Sequence, residues 1–313
     1  MFQSVFREMK PFSQLMFAIF VVVASFIVFM LISLVVAIPI FGFDSMMSIA
    51  GGIDVFSGEN IALLKYFQVV QSVGVFIVPP FILAWLYCGE IAAYLQLNKT
   101  VTAQSVLLVL ILGFSAIPVI NFFGELNANM KLPEWLSGVE NWIKTREDMA
   151  SELTEKFLKV DSFGGYLFNL FMIAFLPAIG EELLFRGVVQ RIFTNWTRSL
   201  HWGIWISAAL FSALHFQFYG FIPRMLLGVM FGYLLVWSGS MWLPIIAHFI
   251  NNGVAVTGMY LIDKGTIKPE FEEIGSTGDS IYFSIVSIAV VALLLWLIKR
   301  ENAPAVKEQR YLQ

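Results

Sequence analysis

Two adjacent carboxylates and an arginine, Glu181, Glu182 and Arg186, stand in the stretch IGEELLFRG, directly after the apolar run FNLFMIAFLPA. Ionisable groups inside hydrocarbon are costly, so they face a bundle interior and are paired. Further polar groups interrupt later apolar runs: His215 in FSALH, and His248, Asn251 and Asn252 in HFINN. Adjacent helical residues point about 100° apart, so the two glutamates serve different neighbours. Glu182 and Arg186 are four apart and can pair along one face. Glu181 has Leu184 and Phe185 at those positions, no local cation, and is left to face another helix. Gly180 and Gly187 let that helix come close. His248 and Asn252 share a face by the same spacing.

A free carboxylate, two imidazoles and an amide at one depth can hydrolyse a bond. Glu181 is expected to take a proton from water, and His215 to orient that water or hold a metal. His248 and Asn252 can donate to the oxyanion that forms when a carbonyl is attacked. Arg186 holds Glu182 and so aims Glu181. With helix boundaries near residues 192, 201 and 240, Glu181 lies roughly 16 Å deep, His215 about 20 Å, His248 about 12 Å and Asn252 about 18 Å. Plainer readings exist for each group: a satisfied structural histidine, an asparagine that glues helices together, a structural Glu–Arg bridge. A different functional reading is a proton-coupled transporter whose buried Glu and His carry protons, although the paired repeats common in transporters are not seen.

These residues need membrane helices to position them. The chain has 313 residues, of which 58% are hydrophobic and only 13% charged, against about half and a quarter in soluble domains. Its net charge of -3 argues against nucleic acid as a partner. The single cysteine, Cys88, excludes an intrachain disulfide and is expected to be an apolar filler. The first apolar run, 14–41, is too long for a signal peptide and is expected to be a retained span.

A helix crosses a bilayer with about 20 apolar residues. That predicts an all-α, polytopic membrane helix bundle of about eight transmembrane helices, near 14–40, 64–87, 101–123, 163–185, 202–219, 222–237, 242–262 and 281–298. Pro223 and Pro244 fall early in their helices, where a missing N–H costs little. Pro177 is expected to kink its helix one turn before Glu181. His201 sits at a span edge and is expected to be interfacial. Segment 125–161 reads as either an amphipathic helix on the membrane surface or a solvated helical hairpin.

Charge sets the expected orientation. Arg7, Lys10, Lys99, Arg191, Arg198, Lys299, Arg300, Lys307 and Arg310 fall on one side of an eight-span chain. Asp44, Asp54, Glu59, the 125–161 segment, Asp263, Glu270, Glu272, Glu273 and Asp279 fall on the other. The positive-inside rule then places both termini in the cytoplasm, and the expected location is the cytoplasmic (inner) membrane.

At EELLFR (Glu181 to Arg186), FSALH (Phe211 to His215) and HFINN (His248 to Asn252) the chain resembles the CAAX protease and bacteriocin-processing family of intramembrane proteases (CPBP family, also called abortive-infection). That family shows Glu-Glu-x-x-x-Arg, Phe-x-x-x-His and His-x-x-x-Asn or Asp, and all three stand intact and in order over roughly residues 165–258. The resemblance implies an eight-helix endopeptidase in which Glu181 and His215 activate water and His248 and Asn252 steady the oxyanion. It implies a membrane-associated substrate, of CAAX-box or bacteriocin type. The family is labelled metalloprotease: Glu181, His215 and His248 could give three zinc ligands, and a metal-free glutamate mechanism is equally compatible. A catalytically idle immunity or scaffold relative is the alternative. The expected regions are 1–124, three membrane spans; 125–162, an acidic extramembrane helical loop; 163–262, the CAAX-protease-like catalytic membrane domain; and 263–313, the last loop, span and tail.

Overall fold

A computed structural model describes residues 6–52, 58–270, 274–276 and 280–303. Asp54, Glu272, Glu273, Asp279, Lys307 and Arg310, used above for orientation, lie outside the described residues, as does the Glu59 side chain. The described chain is helical throughout: α1 (Pro11–Phe41), α2 (Phe43–Ala50), α3 (Asn60–Tyr87), α4 (Ala103–Ser115), α5 (Ile117–Ala128), α6 (Ser137–Leu158), α7 (Phe163–Thr197), α8 (Leu200–Ala213), α9 (Phe221–Ser238), α10 (Trp242–Asp263) and α11 (Ile281–Glu301).

Six of these helices, α1, α3, α7, α9, α10 and α11, are long and apolar enough to cross a membrane. A seventh crossing is available if α4 and α5, bent by 44° at Ala116, form one span. The chain is an all-α, multi-pass integral membrane protein. The predicted span 202–219 is corrected to α8, which has 14 residues. At the standard rise that is roughly 21 Å against about 30 Å of hydrocarbon. His215 therefore lies in the turn after α8, not inside a helix.

Local chemistry sets the ends. Ser162 accepts from Gly165 N at 3.0 Å and opens α7; Ser199 accepts from Trp202 N and opens α8. Gly239, at φ +65°, ends α9 in a conformation that suits glycine. Ser240 Oγ, donating to Lys99 O, ties the following turn to the chain before α4.

Two buried clusters hold the helices together. One joins α1, α3, α7, α9 and α10 through Val21, Leu83, Leu183, Ile192, Leu235 and Ile245. The other joins α4, α9, α10 and α11 through Leu112, Phe231, Leu243 and Leu294. Large apolar side chains elsewhere, such as Phe20 and Val35 of α1, face outward, as a lipid solvent permits. The 125–161 segment is one helix, α6, after the end of α5, rather than a hairpin. Its inward positions recur at Glu140, Ile143, Glu147, Ala150, Leu153 and Phe157, while Trp135, Val139 and Trp142 are exposed. Glu147 accepts from Tyr219 N at 3.0 Å, so α6 lies over the turn that follows α8.

Candidate active site

α7 is not a uniform α-helix. It widens to a π-helix at Leu170–Phe175 and again at Glu182–Val189. Such bulges re-aim side chains and recur at functional sites. The first precedes Pro177, which has no N–H to offer the carbonyl four residues back, that of Ile173. Asn252 Nδ2 of α10 donates to that oxygen at 3.2 Å. The second begins at Glu182 itself.

The two glutamates part company as their spacing predicted. Glu182 is fully buried, and its Oε1 accepts from Arg186 Nη1 at 2.8 Å. The same oxygen lies 2.8 Å from His248 Nδ1. A carboxylate paired with a guanidinium can only accept, so His248 Nδ1 donates and Nε2 is left toward the other side. Glu181 Oε2 stands there, 3.8 Å from Nε2. Its side chain is 12% exposed. The two carboxylates thus flank one imidazole.

Aromatic rings dry the inner side. His248 stacks on Phe231 with centroids 5.0 Å apart, and Arg186 lies over Phe211 at 4.7 Å and Phe231 at 5.4 Å. Arg186 Nη2 also donates to Gly228 O at 3.1 Å. Gly228 must be small there: an added Cβ would stand 3.0 Å from Ala208 Cβ and 3.2 Å from Arg186 Nη2. Gly180 admits a close neighbour, since a Cβ there would stand 2.7 Å from Phe76 Cβ, but that neighbour is α3 and not α10, which Glu181 faces. Gly187 does so against Leu95, at 2.9 Å, rather than against a glutamate's partner helix.

His215 and Asn252 are placed differently from Glu181 and His248. His215 is exposed, and its Nδ1 is 2.8 Å from Phe211 O. A carbonyl oxygen only accepts, so Nδ1 donates and Nε2 is free. The Phe211 ring stands between the imidazoles, 4.9 Å from His215 and 6.2 Å from His248. Among the described residues His215 forms no ion pair with Glu181. Asn252 Oδ1 accepts from Asn251 Nδ2 at 3.0 Å, which aims the amide toward Ile173. His201 is exposed, with Nδ1 2.7 Å from Tyr233 Oη.

The zinc set Glu181, His215 and His248 does not gather. Among the described residues no three His, Cys, Asp or Glu side chains stand where they could hold one metal ion. Each imidazole is held through Nδ1, one by Glu182 and one by a backbone carbonyl, which leaves only the Nε2 atoms to a metal. As arranged, the side chains of Glu181, His215 and His248 do not converge on one metal position.

Arg224 escaped the sequence reading. It lies in the first turn of α9, close enough to interact electrostatically with both Glu181 and His215. Its Nη2 donates to Gln217 Oε1, whereas Nη1 is buried without a hydrogen-bond partner. Glu182 Oε2 is likewise buried without a protein partner. The rule that singled out Glu181, a charge within an apolar run, would have singled out Arg224 too.

Comparison with known proteins bears on the same helices. Residues 163–254 match the family model described as Type II CAAX prenyl endopeptidase Rce1-like. An uncharacterized protein of Bacillus subtilis (strain 168), YpbD, is 32% identical over 90 residues, covering 28% of this chain and 43% of that protein. The chain thus matches less than half the length of this relative. No solved structure matches. The stretch that matches this family model runs from the start of α7 to the middle of α10 and carries Glu181, Glu182, Arg186, His215, His248 and Asn252.

Proposed function

We propose that the protein is an intramembrane endopeptidase that hydrolyses a peptide bond of a membrane-associated substrate through a water activated by Glu181. The observation that carries this reading is His248 fixed at Nδ1 by Glu182 while Nε2 faces Glu181 at 3.8 Å. That gap is too long for a hydrogen bond, yet one water can bond to both atoms across it. The Rce1-like match over the same residues supports peptide hydrolysis as the reaction.

In this mechanism the water oxygen attacks the scissile carbonyl carbon while Glu181 takes its proton. The carbonyl oxygen becomes an oxyanion. His248, held at Nδ1 by Glu182, donates to it from Nε2 once that nitrogen has taken a proton from solvent, in the way a buried carboxylate supports the histidine of a triad. Asn252 has a second amide N–H for the same oxyanion, and Arg224 adds positive charge beside Glu181. The C–N bond then breaks, and Glu181 returns its proton to the leaving amine. His215 orients the attacking water from the mouth of the site through Nε2. Arg186 does not touch substrate: it positions Glu182, and through it His248. No step passes through a metal.

The substrate is a peptide held at the membrane, of the CAAX or bacteriocin type that the family implies. The cytoplasmic membrane, with both termini inside, is the proposed location. The test compares membrane proteomes of cells that make wild-type protein with cells that make Glu181→Ala. New peptide termini that depend on Glu181 are expected. Identical proteomes at equal protein levels would leave the chain an idle relative and remove the proposal.

A further inference from the structure

A cavity of about 760 Å³ lies away from Glu181. It opens where α7, α9 and α11 end and α8 and α10 begin, at one face of the bundle. Its wall carries Arg191 and Lys299, and no Asp or Glu. Its inner end reaches Arg186, whose charge Glu182 already balances. Neither Arg191 nor Lys299 has an ion-pair partner among the described residues. Arg191 is held instead over the Tyr94 ring at 4.2 Å. Lys299, in the last turn of α11, also complements a helix dipole. That role needs no cavity and does not explain Arg191.

Other polar groups share the wall. His201 and Tyr233 are joined at 2.7 Å, and Gln96 Oε1 is buried without a partner. Trp237 lines the cavity, and Trp202 is 63% exposed one residue after His201. Aromatic rings of this kind mark headgroup depth. Two unpaired cations in a concave, low-dielectric mouth focus positive potential where lipid phosphates lie.

We infer that this cavity binds a phosphate-bearing anion, with Arg191 and Lys299 on the phosphate and Gln96, His201 or Tyr233 on its hydroxyls. An acidic phospholipid headgroup and a free phosphate present the same chemistry. The inference does not depend on the protease reading, because it is tested by binding alone.

Purified full-length protein is titrated in detergent with phosphatidylglycerol, with phosphatidylcholine and with inorganic phosphate, and bound species are counted by native mass spectrometry. A preference for phosphatidylglycerol over phosphatidylcholine assigns the site to a lipid. Removing one charge, by Arg191→Gln or Lys299→Gln, should weaken that binding about fivefold, and removing both about 30-fold. The charge-preserving pair Arg191→Lys with Lys299→Arg should keep the preference, which separates loss of charge from loss of fold. Binding of inorganic phosphate that the double Gln variant loses, without lipid preference, assigns the site to a free anion. Equal binding of both lipids with no phosphate binding overturns the inference. So does a phosphatidylglycerol preference that survives in the double Gln variant.

Discussion

Glu182 carries three elements on one oxygen: its own helix through Arg186, α10 through His248, and α9 through the guanidinium that reaches Gly228 O. Removing one partner of a buried ion pair leaves an uncompensated charge and costs about 3–5 kcal/mol. Arg186→Ala is therefore expected to lower the melting temperature and folded yield, not merely the rate. Normal yield and stability in that variant would count against the pairing. Glu181→Gln, whose neighbour His248 Nε2 at 3.8 Å lies beyond hydrogen-bond reach, is expected to leave the melting temperature close to wild type and abolish cleavage. Arg224→Gln should keep the fold and lower kcat/KM by about 10–100-fold, with part restored by Arg224→Lys, if its positive charge helps the oxyanion. An unchanged rate would remove Arg224 from the mechanism. The pairing of Glu182 with Arg186 was legible because four-residue spacing on one helix decides it. The bond from His248 to Glu182 was not, because it spans 66 positions and depends on how closely α10 approaches α7.

At the scale of elements, the apolar runs were readable one by one, since each must satisfy the same bilayer thickness. Their ends were less so. α7 continues to Thr197, past the boundary assumed near residue 192, and α8 stops at Ala213, short of His215. Polar residues at the rim of a bundle fit either inside or outside a helix, so composition cannot fix the last turn. Gly228→Ala tests the packing of α8 against α9. Its Cβ would press on Ala208 and Arg186, and overpacking of this kind costs about 1–3 kcal/mol. A melting temperature unchanged from wild type would show that α9 can yield there.

α6 offers a pH test outside the membrane. Burial pushes the Glu147 carboxyl above its ordinary value of 4.5, partly offset by the Tyr219 N–H that it accepts and by Arg224. A folded-state value above the unfolded one means docking is fully supported below pH 4.5 and loses that support as pH rises through the raised value. Hydrogen exchange at Tyr219 N–H, corrected for intrinsic rate, should then show protection falling across that window in wild type. Glu147→Gln, neutral at every pH, should show no such fall. A fall of the same size in both would assign the effect to another group.

Over the whole molecule, α7, α9 and α10, which meet at Glu182, Phe231 and His248, are the frame of the candidate site, and the segment 163–254 holds their parts of it. Two other helices cover it: α3 against Gly180, and α6 over the turn beyond His215. Fold class was legible because 58% apolar composition leaves few alternatives to a membrane bundle. The zinc set was not decidable from order along the chain, since ligand geometry depends on rotamers that Glu182 and Phe211 O fix. Dialysis against a chelator is expected to leave cleavage within about twofold of wild type, and loss restored by zinc would reverse that expectation.

Hydrolysis by water at Glu181 is tested most directly with heavy-oxygen water. Purified protein in bilayers is incubated with membrane extract, and new peptide carboxyl termini are read by mass spectrometry. Wild type should release peptides carrying one heavy oxygen at the new terminus, and Glu181→Gln, folded to the same extent, should release none. The same labelled termini at the same rate from Glu181→Gln would contradict the account.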